Sequence, residues 1–305
     1  MVPKNRTISL AALNSFHTVA RLGGINAAAE HQGMAKSGVS RHIVQLEEHF
    51  DVKLLERGAR SVRLTPIGER LDQRIASILA EVDLLTDIAS EERTGVKGKV
   101  TIAATPEFGS FVAARLFPEI RRRHPDLSVA MRTGYAFEDM QDPSTDLAFR
   151  IISAKDDRLI ARPMGAFRFW IVSSLDVQRS FPVDQPNDLV NVPCLSFRED
   201  RTNATWKLFR GDELSTIEVT GKAAVRDFSA LMQLAEASQG YAFLPEFLVR
   251  PSIDRGTLVR SLPLHTSRPI PVFLSYRPGA RRVARIDAVI NLAETLVPDL
   301  LEPLR

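Results

Sequence analysis

Apolar positions along this chain follow one rhythm up to about residue 94 and another beyond it. Leu10, Leu13, Phe16 and Val19 recur every three residues and mark one face of a helix. Gly23-Gly24 ends it, because glycine accepts the left-handed geometry of a helix stop. Asn26 reads as the N-cap of a second short helix through Ala27, Ala28, Ala29 and Glu30, which Gly33 breaks. A third helix is predicted from Lys36 to Phe50, with Val39, Ile43, Leu46 and Phe50 on its apolar face at spacings of 4, 3 and 4. Its other face carries Lys36, Ser37, Ser40, Arg41 and Gln45. Residues 52–66 alternate and turn at Gly58-Ala59, which reads as a small β-hairpin with Arg57, Arg60 and Arg63 at and beside its tip. From Pro66 to about Glu92 a single helix is expected. Leu71, Ile75, Ile78, Val82 and Leu85 follow at spacings of 4, 3, 4 and 3, a heptad seam. Such a rod would be roughly 40 Å long.

After the glycines Gly95 and Gly98 the pattern alternates between strand and helix. Val100–Ala104 predicts a strand, Phe111, Leu116, Phe117 and Ile120 a helix, Leu127–Thr133 a second strand and Asp146–Ile151 a third. This alternation argues for α/β architecture with largely parallel sheets.

Charge sharpens the division. The 305 residues carry a formal +3, yet the first 70 hold ten Lys and Arg against six Asp and Glu, a net +4, and the remaining 235 hold 30 against 31, a net −1. A basic head on a neutral body is expected of a nucleic-acid-binding module joined to a second domain, although many domains of that charge bind no polyanion. The hydrophobic share of 44% and charged share of 25% exclude a collagen-like or disordered chain. The single cysteine, Cys194, excludes an intrachain disulfide, a Cys-based zinc cluster and a CxxC pair, and reads as a small buried hydrophobe. The apolar run after Lys4 and Arg6 has six residues, shorter than the roughly 7–15 of a secretory signal. No window approaches the roughly 18 apolar residues of a membrane span, so a cytoplasmic protein with no membrane partner is expected.

The chemistry of the third helix suits DNA. A recognition helix must approach the groove closely, which favours small residues such as Ser37, Gly38 and Ser40 at its start. Lys36 and Arg41 reach acceptors on guanine or phosphate. The arginines of the hairpin suit phosphates or a narrow minor groove.

The stretch from Leu13 to Leu71 resembles the winged helix-turn-helix of LysR-type transcriptional regulators. The match runs through Phe16, Val19, Ala20, Gly23, Ala28, Ala29, Val39, Ser40, Arg41, Ile43, Leu46, Glu47, Leu54, Glu56, Arg57, Leu64, Thr65 and Gly68. Three positions depart from the family's habit. Ala35 stands where Ser or Thr usually caps the recognition helix, a loss of about 1 kcal/mol unless another group serves. Lys36 stands where Gln usually reads a base. Gln32 stands at a usually apolar core position, so looser packing of the second helix is expected.

Residues 99–305 look like the effector-binding domain of the same regulators, similar in fold to periplasmic solute-binding proteins. The segments GKVTIAATPEFG, HPDLSV, DLAFRI, PCLSF, SQGYAFLPEFLV and PVFLSYRP carry this likeness. The resemblance implies an α/β protein overall. Residues 1–65 would form a mainly α winged helix-turn-helix, 66–94 a long linker and dimerisation helix, and 95–98 a hinge. Residues 99–305 would form a two-subdomain α/β domain of periplasmic-binding type, with subdomain I over 99–169 and 271–305 and subdomain II over 170–270. DNA-binding residues are then Asn26, Lys36, Ser37, Ser40, Arg41, Gln45, Arg57, Arg60 and Arg63. Effector-binding residues are Thr105, Phe108, Gly134, Tyr135, Phe197, Arg198 and Asp227. Thr105 fits a helix N-cap equally well, Phe197 a core position, and Asp227 the cap of a helix starting near Phe228. Glu107, should it face the crevice, would repel an acid and favour an amine.

No GxSxG, HExxH, GxGxxG or Walker-type motif is present, and the six histidines show no metal-ligand spacing. The expectation is therefore a regulator that is not an enzyme and needs no cofactor or metal. Its expected partners are double-stranded DNA bearing an interrupted inverted repeat, a small-molecule effector, RNA polymerase, and further copies of itself. Those copies would make a homodimer through the linker helix and then a homotetramer. The rivals are a solute-binding protein or enzyme of periplasmic-binding fold, and a regulator that acts without a ligand.

Overall fold

A computed structural model describes residues 7–57, 62–94, 96–135, 144–151, 159–197 and 203–302. The chain divides into two compact units, Met1–Thr94 and Gly95–Arg305.

The first unit contains α1 (Leu10–Leu22), α2 (Ile25–Gln32), α3 (Lys36–Phe50), the strands β1 (Leu55–Arg57) and β2 (Val62–Leu64), and α4 (Pro66–Thr94). Ser9 caps α1 by accepting from the Ala12 amide at 3.1 Å, and Gly23 stops it with φ of 68°. The second helix starts earlier than Asn26 would place it. Gly24 is its extended N-cap and its carbonyl accepts from Ala28, which puts Asn26 inside the first turn. Ala35 is the N-cap of α3 and supplies no side-chain bond.

Phe16, Val19, Ala28, Val39, Ile43, Leu46, Leu54 and Ile75 form the core of this unit. Each large side chain buried this way contributes roughly 1.5–3 kcal/mol. Gln32 does not loosen that core. Its Oε1 accepts from Ser15 Oγ at 3.0 Å and its Nε2 donates to Thr18 Oγ1 at 2.9 Å. His42 Nδ1 lies 2.8 Å from the same Ser15 hydroxyl, so a polar cluster ties α1 to both α2 and α3.

The hairpin is antiparallel, with Leu55 opposite Leu64 and Arg57 opposite Val62. Its turn at Gly58-Ala59 lies outside the described residues. The chain then enters α4 through a close approach: a Cβ on Gly68 would stand 2.2 Å from the Leu54 carbonyl oxygen. The expected single seam along α4 divides in two. Leu71, Ile75 and Leu79 pack into the core of the first unit, whereas Ile78 and Leu85 are 47% and 66% exposed.

The second unit contains β3 (Gly98–Ala104), α5 (Pro106–Arg123), β4 (Leu127–Thr133), β5 (Leu147–Ile151), β6 (Ile160–Phe167), β7 (Phe169–Ser173) and α6 (Leu175–Ser180). It continues with β8 (Cys194–Ser196), β9 (Asn203–Arg210), β10 (Glu213–Ala224), α7 (Phe228–Glu236), β11 (Ala242–Pro245) and α8 (Glu246–Asp254). It ends with β12 (Val259–Ser261), β13 (Ile270–Tyr276) and α9 (Ala284–Leu301).

One half is a five-stranded sheet in the order β4-β3-β5-β13-β6. The other half holds two three-stranded sheets, β8-β10-β9 and β11-β7-β12. The chain leaves the first half at Arg168 and returns to it with β13. The sheets are less parallel than the alternation suggested. β3 runs parallel to β4 and β5, and β8 parallel to β10, while the other described ladders are antiparallel. The returning strand β13 inserts between β5 and β6 against both of them.

Cys194 is fully buried and its thiol donates to the Leu189 carbonyl at 3.5 Å. Burial pushes the thiol up to about 12, which leaves it a packed hydrophobe rather than a reactive group.

Candidate DNA-reading face and ligand crevice

Helix α3 buries Val39, Ile43, Leu46 and Glu47 and turns the opposite face outward. Ser37, Arg41, Val44, Gln45 and Glu48 are exposed there, beside Lys36 at the first position of the helix. Ser40 is half-buried on the flank. Among the described residues, the side chains of Lys36, Ser37, Ser40, Arg41 and Gln45 make no hydrogen bond within the unit. The first amides of α3 have no helical acceptor, and with Ala35 at the cap no side chain takes them, which suits a phosphate oxygen. Asn26 is exposed at the start of α2, and Arg63 is exposed on β2. Arg57 takes its place in the ladder, but its side chain and the whole of Arg60 lie outside the described residues.

Glu47 fixes the hairpin to this helix. Its Oε1 accepts from the Leu54 amide at 2.9 Å and the Leu55 amide at 3.4 Å, and its Oε2 accepts from Lys53 Nζ at 2.6 Å. Burial alone would raise the carboxyl. The hydrogen bonds from Lys53, Leu54 and Leu55, with the lysine charge, outweigh burial and hold it below its ordinary value. Thr65 joins the two flanks of the hairpin and the start of α4, donating to the Lys53 carbonyl at 2.8 Å and accepting from the Gly68 amide at 3.0 Å.

Val44 was not anticipated from the sequence. It is an apolar side chain, 38% exposed, one helical turn beyond Arg41 and seven residues beyond Ser37. The helical spacing from those two residues was the signal for it.

In the second unit, Thr105 holds the N-cap position of α5 with extended backbone, yet its hydroxyl makes no capping bond. The Gly134 amide donates to the Ala104 carbonyl at 3.1 Å and so keeps the ends of β3 and β4 together. Tyr135 lies edge-on to Phe197, with ring centres 5.6 Å apart. Phe197 stacks on Phe228 at 3.9 Å and 11°. These rings come from both halves of the unit and make one aromatic wall. Phe228 was not anticipated, because only the fold brings it to Phe197.

Three expected ligand contacts take other roles or fall outside the described residues. Phe108 is fully buried and packs against Phe111, Phe149 and Phe247, because three residues of helix turn it inward from Thr105. Asp227 is the side-chain cap of α7, accepting from the Ala230 amide at 2.7 Å. Arg198 lies outside the described residues. Glu107 is not an open counter-charge either. It is buried, and its Oε1 accepts from the Tyr135 hydroxyl and from the Phe228 amide at 2.9 Å. Burial raises the Tyr135 hydroxyl, and its bond to Glu107 and the charge there raise it further.

Among the described residues there is no group of three or more His, Cys, Asp or Glu able to hold a metal ion. No described helix is long and apolar enough to cross a membrane.

Residues 10–69 match the family of bacterial regulatory helix-turn-helix proteins of LysR type, and residues 93–297 match the LysR substrate binding domain. The chain is 28% identical over 295 residues to a probable HTH-type transcriptional regulator, LtrA, of Klebsiella pneumoniae, covering 95% of this chain and 96% of that protein. It is 30% identical over 257 residues to the HTH-type transcriptional regulator PtxR of Pseudomonas aeruginosa, covering 84% of this chain and 82% of that one. In fold it is similar to the crystal structure of ArgP from Mycobacterium tuberculosis, at a TM-score of 0.70, 18% identity and coverage of 94% and 97%.

Proposed function

The chain belongs to the LysR family of DNA-binding transcriptional regulators, and from that premise we propose how its residues divide the work. It is a regulator with an α/β substrate-binding domain, and its relatives are regulators rather than enzymes. Residues 1–65 read DNA, 66–94 join copies of the chain, 95–98 form a hinge and 99–305 sense a ligand. The exposed face of α3 carries this reading, because its cations and hydroxyls are unspent within the unit. Arg41 and Lys36 contact base edges or phosphates, and Ser37, Ser40 and Gln45 lie beside them. Val44 supplies an apolar contact of the kind that packs on a thymine methyl. Asn26, Arg57, Arg60 and Arg63 hold the backbone or the minor groove.

Ile78 and Leu85, seven residues apart and exposed on α4, are covered by the same helix of a second copy. Two recognition helices would then enter successive major grooves about 34 Å apart, so the operator is an interrupted inverted repeat. The assembly is a dimer of dimers in the cytoplasm, with RNA polymerase as a further partner. A small molecule occupies the crevice near Thr105, Gly134, Tyr135, Phe197 and Arg198. A gel shift of the DNA upstream of the chain's own operon tests this division. Retardation supports it, and DNA left unshifted at every protein concentration overturns the assignment of residues 1–65 to reading that DNA.

A further inference from the structure

A buried carboxylate joins the two halves of the second unit. Glu107 is the second residue of α5, in the half built on the five-stranded sheet, and is 5% exposed. Phe228 opens α7 in the other half, so its amide has no acceptor within that helix and sits at the positive end of the helix dipole. The helix's own cap, Asp227, serves the Ala230 amide instead. Glu107 Oε1 takes the Phe228 amide at 2.9 Å and the Tyr135 hydroxyl together. A hydroxyl and a helix-end amide converging on one oxygen form a receptor for a carboxylate, and here the carboxylate is the chain's own.

We propose that Glu107 is an intramolecular ligand. It fills a carboxylate subsite at the start of α7 and bridges the crevice there, so that a small molecule cannot place its own carboxylate at that point. The sensor therefore discriminates against simple monocarboxylates at this subsite, and an effector's recognition groups lie elsewhere, toward Thr105. This goes beyond the reading of the chain as a ligand-controlled regulator and stands whether or not the crevice takes an effector.

The test uses the full chain. Glu107→Ala removes a fragment of the size and charge of acetate. The variant is expected to melt about 5 °C below wild type. It should recover about half of that loss in ~100 mM sodium acetate at constant ionic strength, and none in chloride. Wild type should respond alike to both salts. An acetate response equal in variant and wild type overturns the proposal. Should Glu107→Ala fail to fold, a double-mutant cycle of Glu107→Gln with Tyr135→Phe decides. The Tyr135→Phe loss should fall by at least half in the Gln background, and strictly additive losses overturn the proposal. A gel shift run alongside reads DNA binding separately, so a failure there would bear on the regulator reading and leave the acetate result intact.

Discussion

The Leu54 amide donates to Glu47 Oε1 at 2.9 Å, and this bond ties the recognition helix to the base of the wing. Glu47 belongs to the buried face of α3, so its carboxylate replaces water with two amides and the Lys53 ammonium. The placement of Leu54 and Leu55 against α3 rests on that replacement. Glu47→Ala should destabilise the first unit by about 2 kcal/mol, because it strands buried amides that had a charged acceptor. Chemical denaturation of the full chain measures this, and a loss under about 0.5 kcal/mol would show that the tie is dispensable.

The same carboxylate gives a pH dependence with a definite sign. Its folded value is depressed below the ordinary 4.5, so its stabilisation is fully present above that value and disappears as pH falls through the folded one. The stability gap between wild type and Glu47→Gln should therefore be widest near neutrality and narrow below 4.5. A gap that stayed constant across that window would mean that the charge plays no part.

Gly68 stands where α4 leaves the wing. An alanine Cβ there would meet the Leu54 carbonyl oxygen at 2.2 Å, and that carbonyl already accepts from the Thr65 amide at 3.0 Å. Backbone must move, so Gly68→Ala should cost about 3 kcal/mol. Loss of DNA binding should accompany it, since the wing is displaced from α3. Native melting behaviour in this variant would contradict the packing described.

Thr105 makes the sharpest test of the crevice. A ligand found by thermal-shift screening of the full chain should lose its stabilising effect with Thr105→Val, while affinity for DNA is unchanged. Retention of the full shift at the same ligand concentration would remove Thr105 from the binding site.

Much of the first unit could be read directly from the residues, because one stripe of a short helix must be buried. Val39, Ile43 and Leu46 are spaced for that, and all three are core. Asn26 misled because its cap preference is local, whereas Gly24 had already opened the helix. Gln32 looked like a packing fault because its partners Ser15 and Thr18 lie on another helix, 17 and 14 residues away. The direction of β13 depends on where the chain returns after building the other half, which no local period encodes. Glu107 is the extreme case: its partners are 28 and 121 residues distant, so only the fold shows that its charge is already engaged. Asp227 was legible as a cap, and it makes that capping bond to the Ala230 amide.

The reading face of α3 is the centre of the functional claim, and Arg41 is its most direct probe. Binding of the full chain to the DNA upstream of its operon, followed by fluorescence anisotropy across a salt series, compares wild type with Arg41→Ala. The variant should bind about 10- to 100-fold more weakly, the loss expected for one base-edge contact or a strong phosphate contact. Arg41→Ala binding with wild-type affinity at every salt concentration would contradict the assignment of this face to DNA.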